Sequence, residues 1–316
     1  MPRSYEKIHY GLRPAKNIER KMLAEAFRRL SEFGTIESYR YVGFGSIYFC
    51  DFCLFHKSLG ITNMLSIEWD VKNAGRFKFN RPFGCIQIKF GDSNEELPAL
   101  SWNERTILWL DYDRKLDRAA LTDISWFCAH AVPGSAILVT VNAQSDRFDE
   151  GPLQQLRERV GEEKVSPAIG ETELKGWGTA DVNRRIITNE IQEKLDIRNG
   201  GRSAGSRMLY RQLFNFRYAD GPNFPKMLTV GGLLFEEGQS NIVGKCAFET
   251  LPFVRPEEKG YLIEVPNLTF RELRHLDAQL PISDPKQLDA PSIPEKDLER
   301  YARVYRYFPA FVDAEL

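Results

Sequence analysis

The chain has 316 residues, with 43 basic and 44 acidic side chains and a formal net charge of −1 at pH 7. This balance excludes a whole-chain electrostatic attraction to nucleic acid or to acidic membranes. Hydrophobic residues make up 42% of the chain, which is typical of a globular protein. No apolar run approaches the ~20 residues that span a bilayer, and segment 1–21 lacks the apolar core of a signal peptide. With only five cysteines, we expect a soluble cytoplasmic protein without membrane contacts.

Strand and helix patterns alternate through the first 144 residues. In chain order, the sequence predicts a helix at 15–33, a strand at 39–42, a helix at 51–59, strands at 63–67, 85–90 and 106–110, a helix at 117–131 and a strand at 136–141. Strands separated by helices imply βαβ units and a parallel sheet covered on both faces. We therefore predict a doubly wound, mostly parallel α/β fold, with residues 1–144 and 226–250 as its core.

The character of the sequence changes after residue 144. Segment 145–225 is polar, and we interpret it as a helical insert. Its predicted helices lie at 151–160 and at 182–196, the second capped by Asp181. Two β-like stretches, 227–235 and 242–248, predict an antiparallel hairpin at the edge of the sheet.

Residues 251–316 are predicted to form a C-terminal extension. A proline-rich stretch at 280–296 indicates a linker, and a final helix is predicted at about 296–307. The aromatic residues Tyr301, Tyr305 and Phe308 recur at helical spacing. This spacing favours packing in a core or in a homodimer contact over a ligand cage.

Four predicted strands end at glycine or acidic residues. These segments are Tyr41-Val42-Gly43-Phe44-Gly45-Ser46, Leu65-Ser66-Ile67-Glu68, Phe90-Gly91-Asp92-Ser93 and Leu108-Trp109-Leu110-Asp111-Tyr112-Asp113. In a parallel sheet, ligands bind beyond the carboxyl ends of the strands. The segments would therefore place backbone amides and carboxylates around one crevice.

The acids at these strand ends fit a single nucleoside. Glu68 is placed to accept hydrogen bonds from a ribose diol, and Asp92 to accept one from an adenine amino group. Asp111 faces the reacting side of the crevice. The later glycines of a G-x-G-x-x-G turn are missing, which weakens the case for a dinucleotide. Each acid taken alone is also compatible with a solvated turn.

The four strand-end segments resemble the motifs of class I S-adenosylmethionine-dependent methyltransferases. In addition, Ala131-Val132-Pro133-Gly134-Ser135 resembles the turn before the fifth strand of these enzymes. The resemblance covers residues 35–145 and 226–250. It implies a Rossmann-like fold and methyl transfer from S-adenosylmethionine to an acceptor that the sequence does not identify. The insert 145–225 would then shape the acceptor site. The cofactor-binding residues that it implies are Gly43, Phe44, Gly45, Ser46, Glu68, Asp92, Ser93 and Asp111.

The segment that follows Leu110 is similar to the Asp-x-Asp-Lys motif of small-molecule O-methyltransferases that use a divalent cation. Asp111 and Asn142 match two of their metal positions, whereas Val141 stands where a second Asp would be. We therefore expect oxygen methylation and do not favour a metal. The candidate catalytic residues are Asp111, Tyr112, Asp113 and Lys16. For Lys16, the sequence favours the alternative of a surface lysine at a helix start.

Two other functions remain open at this point. The fold could have lost catalysis and serve as a binding or assembly subunit, given the missing glycine and Val141. Alternatively, the arginine-rich segment 184–217 could bind nucleic acid, although a solvated helical face is the favoured interpretation. For Cys50, Cys53 and His56, packing is favoured over a zinc site.

Overall fold

One sheet of eight strands organises the chain. The computed structural model describes residues 12–147, 149, 151–221 and 223–309. The strands are β1 (Arg40–Gly43), β2 (Asn63–Glu68), β3 (Ile86–Phe90), β4 (Thr106–Lys115), β5 (Ala136–Asn142), β6 (Met208–Tyr218), β7 (Met227–Glu236) and β8 (Tyr261–Ile263). Their order in the sheet is β3-β2-β1-β4-β5-β7-β6-β8. Strands β1 to β5 are parallel, β7 is antiparallel to both β5 and β6, and β8 is parallel to β6. The predicted doubly wound, mostly parallel fold is confirmed.

Helices cover both faces of the sheet. They are α1 (Pro14–Arg28), α2 (Cys50–Leu59), α3 (Ala74–Asn80), α4 (Ser93–Glu96), α5 (Arg118–His130), α6 (Pro152–Val160), α7 (Gly178–Asn199), α8 (Ser240–Lys245), α9 (Phe270–Asp277) and α10 (Glu295–Val304). One large core holds buried side chains of α1, α2 and α3, and a second holds those of α5, α6 and α7. We call the side of the sheet under α1 the first face and the side under α5 the second face.

The antiparallel strand β7 lies between two close neighbours. A Cβ atom on Gly231 would lie 2.2 Å from the carbonyl oxygen of Ile137, and one on Gly232 would lie 2.0 Å from that of Arg211. Only glycine permits this approach, because a Cβ atom at either position would overlap the carbonyl oxygen of the neighbouring strand. The Gly231–Gly232 pair therefore lets β7 pack between β5 and β6.

The predicted hairpin partner is wrong. Strand β7 pairs with β6, which comes from the segment 145–225 assigned to an insert, and residues 242–248 form α8 and a following turn. Arginines interrupt the apolar run of β6, so it was interpreted as part of a basic segment. Val243 in α8 and Cys246 at its C-cap are both buried and three positions apart, which is a helical spacing.

The predicted cap of the long helix is also wrong. Helix α7 begins at Gly178, with Trp177 at the N-cap and no side-chain cap. Asp181 lies in its first turn and binds Arg217, with Oδ1 2.5 Å from Nη2. An acid in the first turn still complements the helix dipole. The sign of the charge near the helix start was therefore predicted correctly, but the helix begins at Gly178, before the predicted start at 182.

The C-terminal region has a small core of its own. Its buried side chains are Leu276, Leu288, Ala290, Ile293, Leu298 and Tyr301. Three of them lie within the stretch 280–296, so the predicted linker is a packed segment despite its prolines. Tyr301 and Phe308 pack edge to face with ring centroids 5.2 Å apart. The aromatic stripe therefore packs within the chain, and the homodimer contact stays a prediction. Among the described residues, no helix is long and apolar enough to cross a membrane.

Candidate functional site at the carboxyl ends of the strands

The turn after β1 is tightly packed and strained. Ser46 and Phe49 have positive φ angles of 48° and 46°, a conformation that costs a residue other than glycine about 1 kcal/mol or more. A Cβ atom on Gly45 would lie 2.5 Å from the Phe49 ring and 2.8 Å from Ser66 Oγ. The turn therefore requires glycine at position 45, because β2 and α2 approach its backbone. Strain of this kind is concentrated at functional sites.

Glu68 at the end of β2 is linked to this turn by hydrogen bonds. The backbone N–H of Gly45 donates to Ser66 Oγ at 2.9 Å, and Ser66 Oγ donates to Glu68 Oε1 at 2.6 Å. Burial raises the pKa of Glu68 to about 7, although hydrogen bonds from Ser66 and from the amides of Gly45 and Ser46 oppose the shift. A carboxylate that changes its charge near neutral pH thus adjoins the glycine turn.

The acid after β3 has a structural partner. Asp92 is the N-cap of α4, and its Oδ1 accepts a hydrogen bond from the backbone N–H of Asn94 at 2.9 Å. Its side chain is exposed, and the neighbouring Ser93 hydroxyl is directed to Asp123. The adenine contact predicted for Asp92 and Ser93 stays a prediction. Because Oδ1 of Asp92 caps the helix, a ligand would contact this side chain through Oδ2, the other carboxylate oxygen.

Strand β4 sends its polar residues to opposite faces. Tyr112 is buried on the second face, where its hydroxyl donates to Asp123 Oδ2 at 2.6 Å and its ring lies 5.3 Å from that of Phe44. Burial raises the pKa of Tyr112 well above its usual value. Asp111 lies on the first face, and Asp113 is exposed. The structure therefore does not bring Asp111 and Tyr112 together, because side chains alternate along a strand.

Lys16 lies on the first face and is fully buried, so the interpretation as a surface lysine is wrong. Its Nζ lies 2.7 Å from Asp111 Oδ1 and 2.8 Å from Glu19 Oε2. Nζ also lies 4.3 Å from the centroid of the Trp109 ring. Glu19 is fully buried as well, whereas Asp111 keeps 21% of its side chain exposed. Helix α1 therefore carries an ion-pair cluster onto the end of β4, in which only Asp111 is accessible.

An acid from the distant β6–β7 connection positions the start of α1. Asp220 accepts a hydrogen bond from Arg13 Nε at 2.6 Å and one from the backbone N–H of Ala15 at 3.0 Å. These bonds satisfy a free N–H of the first helical turn and place a negative charge at the positive end of the helix. Asp220 thus holds Lys16 over β4.

Further buried charges lie behind this cluster. Arg20 is buried and interacts with the charges of Asp51 and Asp111, and Tyr41 donates a hydrogen bond to Asp51. Burial raises the pKa of Asp51, while Arg20 opposes the shift. Several buried polar atoms around α1 have no hydrogen-bond partner among the described residues, and these are Asn17 Oδ1, Arg20 Nε and Tyr218 Oη. Such atoms are rare in proteins and call for an explanation, such as a bound polar molecule.

Sequence reasoning missed most of this cluster. The missed residues are Arg13, Glu19, Arg20, Asp51, Tyr218 and Asp220. One signal was available: Lys16, Glu19 and Arg20 have the i, i+3, i+4 spacing of one helix face. That face also carries Met22 and Leu23, which are fully buried. Charged residues on an apolar face indicate a buried ion-pair network.

Asp111, Val141 and Asn142, which correspond to the metal positions of the cation-dependent O-methyltransferases, make other interactions here. Asp111 Oδ1 binds Lys16, Val141 is fully buried, and Asn142 Oδ1 accepts a hydrogen bond from the N–H of Gln144 at 2.8 Å. In the described part of the chain, no group of three or more His, Cys, Asp or Glu side chains could hold a metal ion. The positive group in contact with Asp111 is the Lys16 ammonium.

The arginine-rich segment 184–217 is largely used inside the protein. Arg184 binds Glu258 at 2.9 Å, and Arg217 binds Asp181. Arg198 donates hydrogen bonds to the carbonyl oxygens of Cys128 and Ala131. Few of its cations are therefore left for phosphate groups.

The strand order and the site define a class of protein. A sheet of order 3-2-1-4-5-7-6 with an antiparallel seventh strand, a glycine turn after β1 and an acid after β2 is the arrangement of class I S-adenosylmethionine-dependent methyltransferases. A family model described as "Putative O-methyltransferase" matches residues 8–316, and the chain belongs to this family. The search of curated proteins returns no match.

Solved methyltransferase structures are similar in fold at low identity. Trm1 from Pyrococcus horikoshii, solved with S-adenosyl-L-methionine, is 10% identical with a TM-score of 0.47, and the match covers 76% of this chain and 60% of Trm1. The N-methyltransferase NodS from Bradyrhizobium japonicum is 12% identical, with a TM-score of 0.39 and coverages of 69% and 97%. DesVI from Streptomyces venezuelae is 14% identical, with a TM-score of 0.29 and coverages of 39% and 49%. The chain thus spans less than two thirds of DesVI and of Trm1.

Proposed function

We propose that the protein transfers a methyl group from S-adenosylmethionine to an oxygen of its acceptor, on the first face of the sheet at the end of β4. One observation carries this proposal. Lys16 is fully buried, and its Nζ lies 2.7 Å from Asp111 Oδ1, at the edge of the sheet where the glycine turn and Glu68 also lie. A charged group is costly to bury, so its retention at this edge supports a role in chemistry.

The residues of the crevice fit the cofactor. Glu68 offers a carboxylate for the ribose diol, and the turn 43–46 offers backbone amides at a close approach. The buried polar atoms without a partner on Asn17 and Tyr218 lie near the same end of α1. We assign the nucleoside to Glu68 and the turn, and the reacting end to Asp111. The five free cysteines support a reducing, cytoplasmic location.

When bound, the cofactor supplies an electrophilic methyl group on a sulfonium. The protein must orient the acceptor hydroxyl and remove its proton. We assign the proton to Asp111 Oδ2, because Oδ1 is held by Lys16 and because Asp111 is the accessible member of the cluster. The ion pair with Lys16 would hold the Asp111 carboxylate in position, and Glu19 and the Trp109 ring would hold the ammonium in place.

Isothermal titration with S-adenosylhomocysteine tests the cofactor site. We expect wild-type protein to bind, and Glu68→Ala to weaken binding by about tenfold or more, since a hydrogen bond to a charged group is worth about 1.5–3 kcal/mol. Glu95→Ala, an exposed acid of α4, is the matched control and should bind as wild type. Absence of binding by wild-type protein at high micromolar ligand would overturn the proposal.

The role of Asp111 is tested separately from binding. Asp111→Asn should bind S-adenosylhomocysteine as wild type does. In a screen of hydroxyl acceptors with S-adenosylmethionine, this variant should produce S-adenosylhomocysteine about 10²–10⁴-fold more slowly than wild type. Wild-type protein that binds the cofactor and never consumes it with any acceptor would instead support a binding subunit. An Asp111→Asn variant with full turnover would remove Asp111 from the mechanism.

A further inference from the structure

A polar cavity of about 370 Å³ lies at the amino edge of the parallel strands, opposite the edge that carries the candidate site. Four connections line it: Ser38 precedes β1, residues 103–105 precede β4, Val132 and Pro133 precede β5, and Gln239 follows β7. The antiparallel strand β7 ends at the edge where the parallel strands begin, so these connections meet there. The volume is in the range of sites that hold small molecules.

Arg105 contributes a guanidinium group without an acidic partner. None of the salt bridges found among the described residues uses Arg105, and its buried Nε makes no hydrogen bond with any of them. The group lies against two glycines, since a Cβ atom on Gly34 would lie 2.8 Å from Nη1 and one on Gly134 would lie 2.9 Å from Nε. A buried donor without an acceptor is costly, so the guanidinium is suited to bind an anion.

The acids at this edge are engaged in other contacts. Glu104 is the acidic residue of the cavity lining, and its Oε1 lies 3.2 Å from Arg40 Nη1 while its Oε2 accepts a hydrogen bond from Asn63 at 2.9 Å. Glu237, two positions before Gln239, accepts a hydrogen bond from a backbone N–H at 2.9 Å. The positive charge of Arg105 is therefore not neutralised by the acids around the cavity.

Two side-chain amides of the lining add further donors. Asn103 Oδ1 accepts a hydrogen bond from Ser101 Oγ at 2.8 Å, and Gln239 Oε1 accepts one from the backbone N–H of Glu236 at 3.0 Å. Both amide oxygens are thus occupied, and the NH₂ groups donate to no other residue in the described part of the chain. Guanidinium and amide NH₂ groups donate hydrogen bonds without accepting them. The cavity therefore offers donors to a ligand that accepts hydrogen bonds.

We propose that this cavity binds a small organic anion through a carboxylate or phosphate group. The planar guanidinium of Arg105 would pair with two oxygens of the anion, and the two amides would donate to its remaining oxygens. The valine and proline of the turn before β5 form an apolar wall, which favours an organic anion over a bare inorganic ion. The cavity and Asp111 lie at opposite edges of the sheet, so binding here does not depend on methyl transfer.

Isothermal titration with succinate and with glycerol 3-phosphate tests this proposal, at low ionic strength because salt screens the charges. We expect wild-type protein to bind at least one of them at millimolar concentration and not to bind glycerol. Binding of succinate alone assigns the site to a carboxylate, and binding of glycerol 3-phosphate alone assigns it to a phosphate. Arg105→Gln should weaken binding by about tenfold or more, because it removes the charged donor.

Gln239→Glu is the sharper variant, because it keeps the oxygen that accepts from the backbone N–H of Glu236. It replaces the NH₂ donor by a negative oxygen and should also weaken binding by about tenfold or more. The matched controls Gln287→Glu and Arg271→Gln make the same changes at exposed positions of the C-terminal region and should bind as wild type. Circular dichroism spectra that match wild type establish that each variant is folded.

Two results would overturn the proposal. One is the absence of binding of both anions by wild-type protein. The other is binding that Arg105→Gln and Gln239→Glu leave unchanged, because the anion would then occupy another site. Titration of Arg105→Gln with S-adenosylhomocysteine should give the affinity of wild type, which separates the cavity from the cofactor site.

Discussion

The two faces of strand β4 use buried polar groups in different ways. On the first face, Lys16, Glu19 and Asp111 are charged groups with one accessible member. On the second face, the hydroxyl of Tyr112 and the amide of Asn94 both donate to Asp123, which is buried. The first arrangement leaves a carboxylate oxygen available to a ligand, whereas the second satisfies its members internally. The contrast teaches that burial of polar groups alone does not identify a reactive site.

Removal of the central charge should have the largest effect. Lys16→Met leaves Glu19 and Asp111 without their cation, and loss of one partner of a buried ion pair costs about 3–5 kcal/mol in the free energy of unfolding. Urea unfolding measures this change. The double variant Lys16→Met, Glu19→Gln should recover part of the loss, because it no longer buries an unpaired carboxylate. A loss below about 1 kcal/mol for the single variant would show that the pair is not buried as described.

The second face should respond in stability alone. Tyr112→Phe removes a hydrogen bond to the buried Asp123 and should cost about 1–3 kcal/mol in the free energy of unfolding. The affinity for S-adenosylhomocysteine should stay unchanged, since Tyr112 lies on the side of β4 away from Asp111. Titration calorimetry on the folded variant checks this. A tenfold loss of affinity would break the distinction between the two faces.

Glu68 extends the comparison to pH. Its pKa of about 7 in the folded protein lies above the ordinary value of 4.5, so its neutral form is favoured by folding. The resulting stability is present below pH 4.5 and is lost as the pH rises to about 7. Glu68→Gln should therefore be more stable than wild type at pH 8, by roughly 1–3 kcal/mol.

Cofactor binding should show the opposite dependence on pH. The ribose diol donates hydrogen bonds, so the ionised carboxylate is the form that accepts both. The affinity of wild-type protein for S-adenosylhomocysteine should rise from pH 6 to pH 8, and that of Glu68→Gln should stay flat across this range. Calorimetric titrations of the two proteins at several pH values provide the comparison. A parallel rise in both would remove Glu68 from the binding site.

The smallest expected effect concerns Asp92. As the N-cap of α4, its replacement by alanine should cost about 1 kcal/mol in the free energy of unfolding, while Asp92→Asn should keep the cap. The two variants separate capping from an adenine contact. If Asp92→Asn is as stable as wild type but binds S-adenosylhomocysteine more weakly, the carboxylate contacts the ligand. Equal affinity would leave Asp92 with its structural role.

The order of the core elements could be predicted because it depends on local periodicity. The apolar run 106–110 predicted the first half of β4, and the acids that follow it mark the end of the strand where the candidate site lies. Asp111, Tyr112 and Asp113 were predicted to act together, although the alternation of side chains along a strand places Asp111 and Tyr112 on opposite faces. This separation of the two side chains could therefore be predicted from the sequence alone.

Other parts of the site could not be predicted from local sequence. Lys16 is buried only because α1 packs over Trp109, and Asp220 binds the start of α1 from 205 residues further along the chain. Strand β6 was missed because arginines interrupt it, and these side chains bind acids elsewhere, as Arg217 binds Asp181. Contacts between distant segments determine these features, and one sequence does not reveal them.

A crystal structure of the protein with S-adenosylhomocysteine tests the central claim most directly. The account predicts that the ribose hydroxyls lie within hydrogen-bonding distance of the Glu68 carboxylate. It also predicts that the sulfur lies on the first face of the sheet, nearer to Asp111 than to Tyr112. A nucleoside bound at the amino ends of the strands, or a sulfur on the second face, would contradict it.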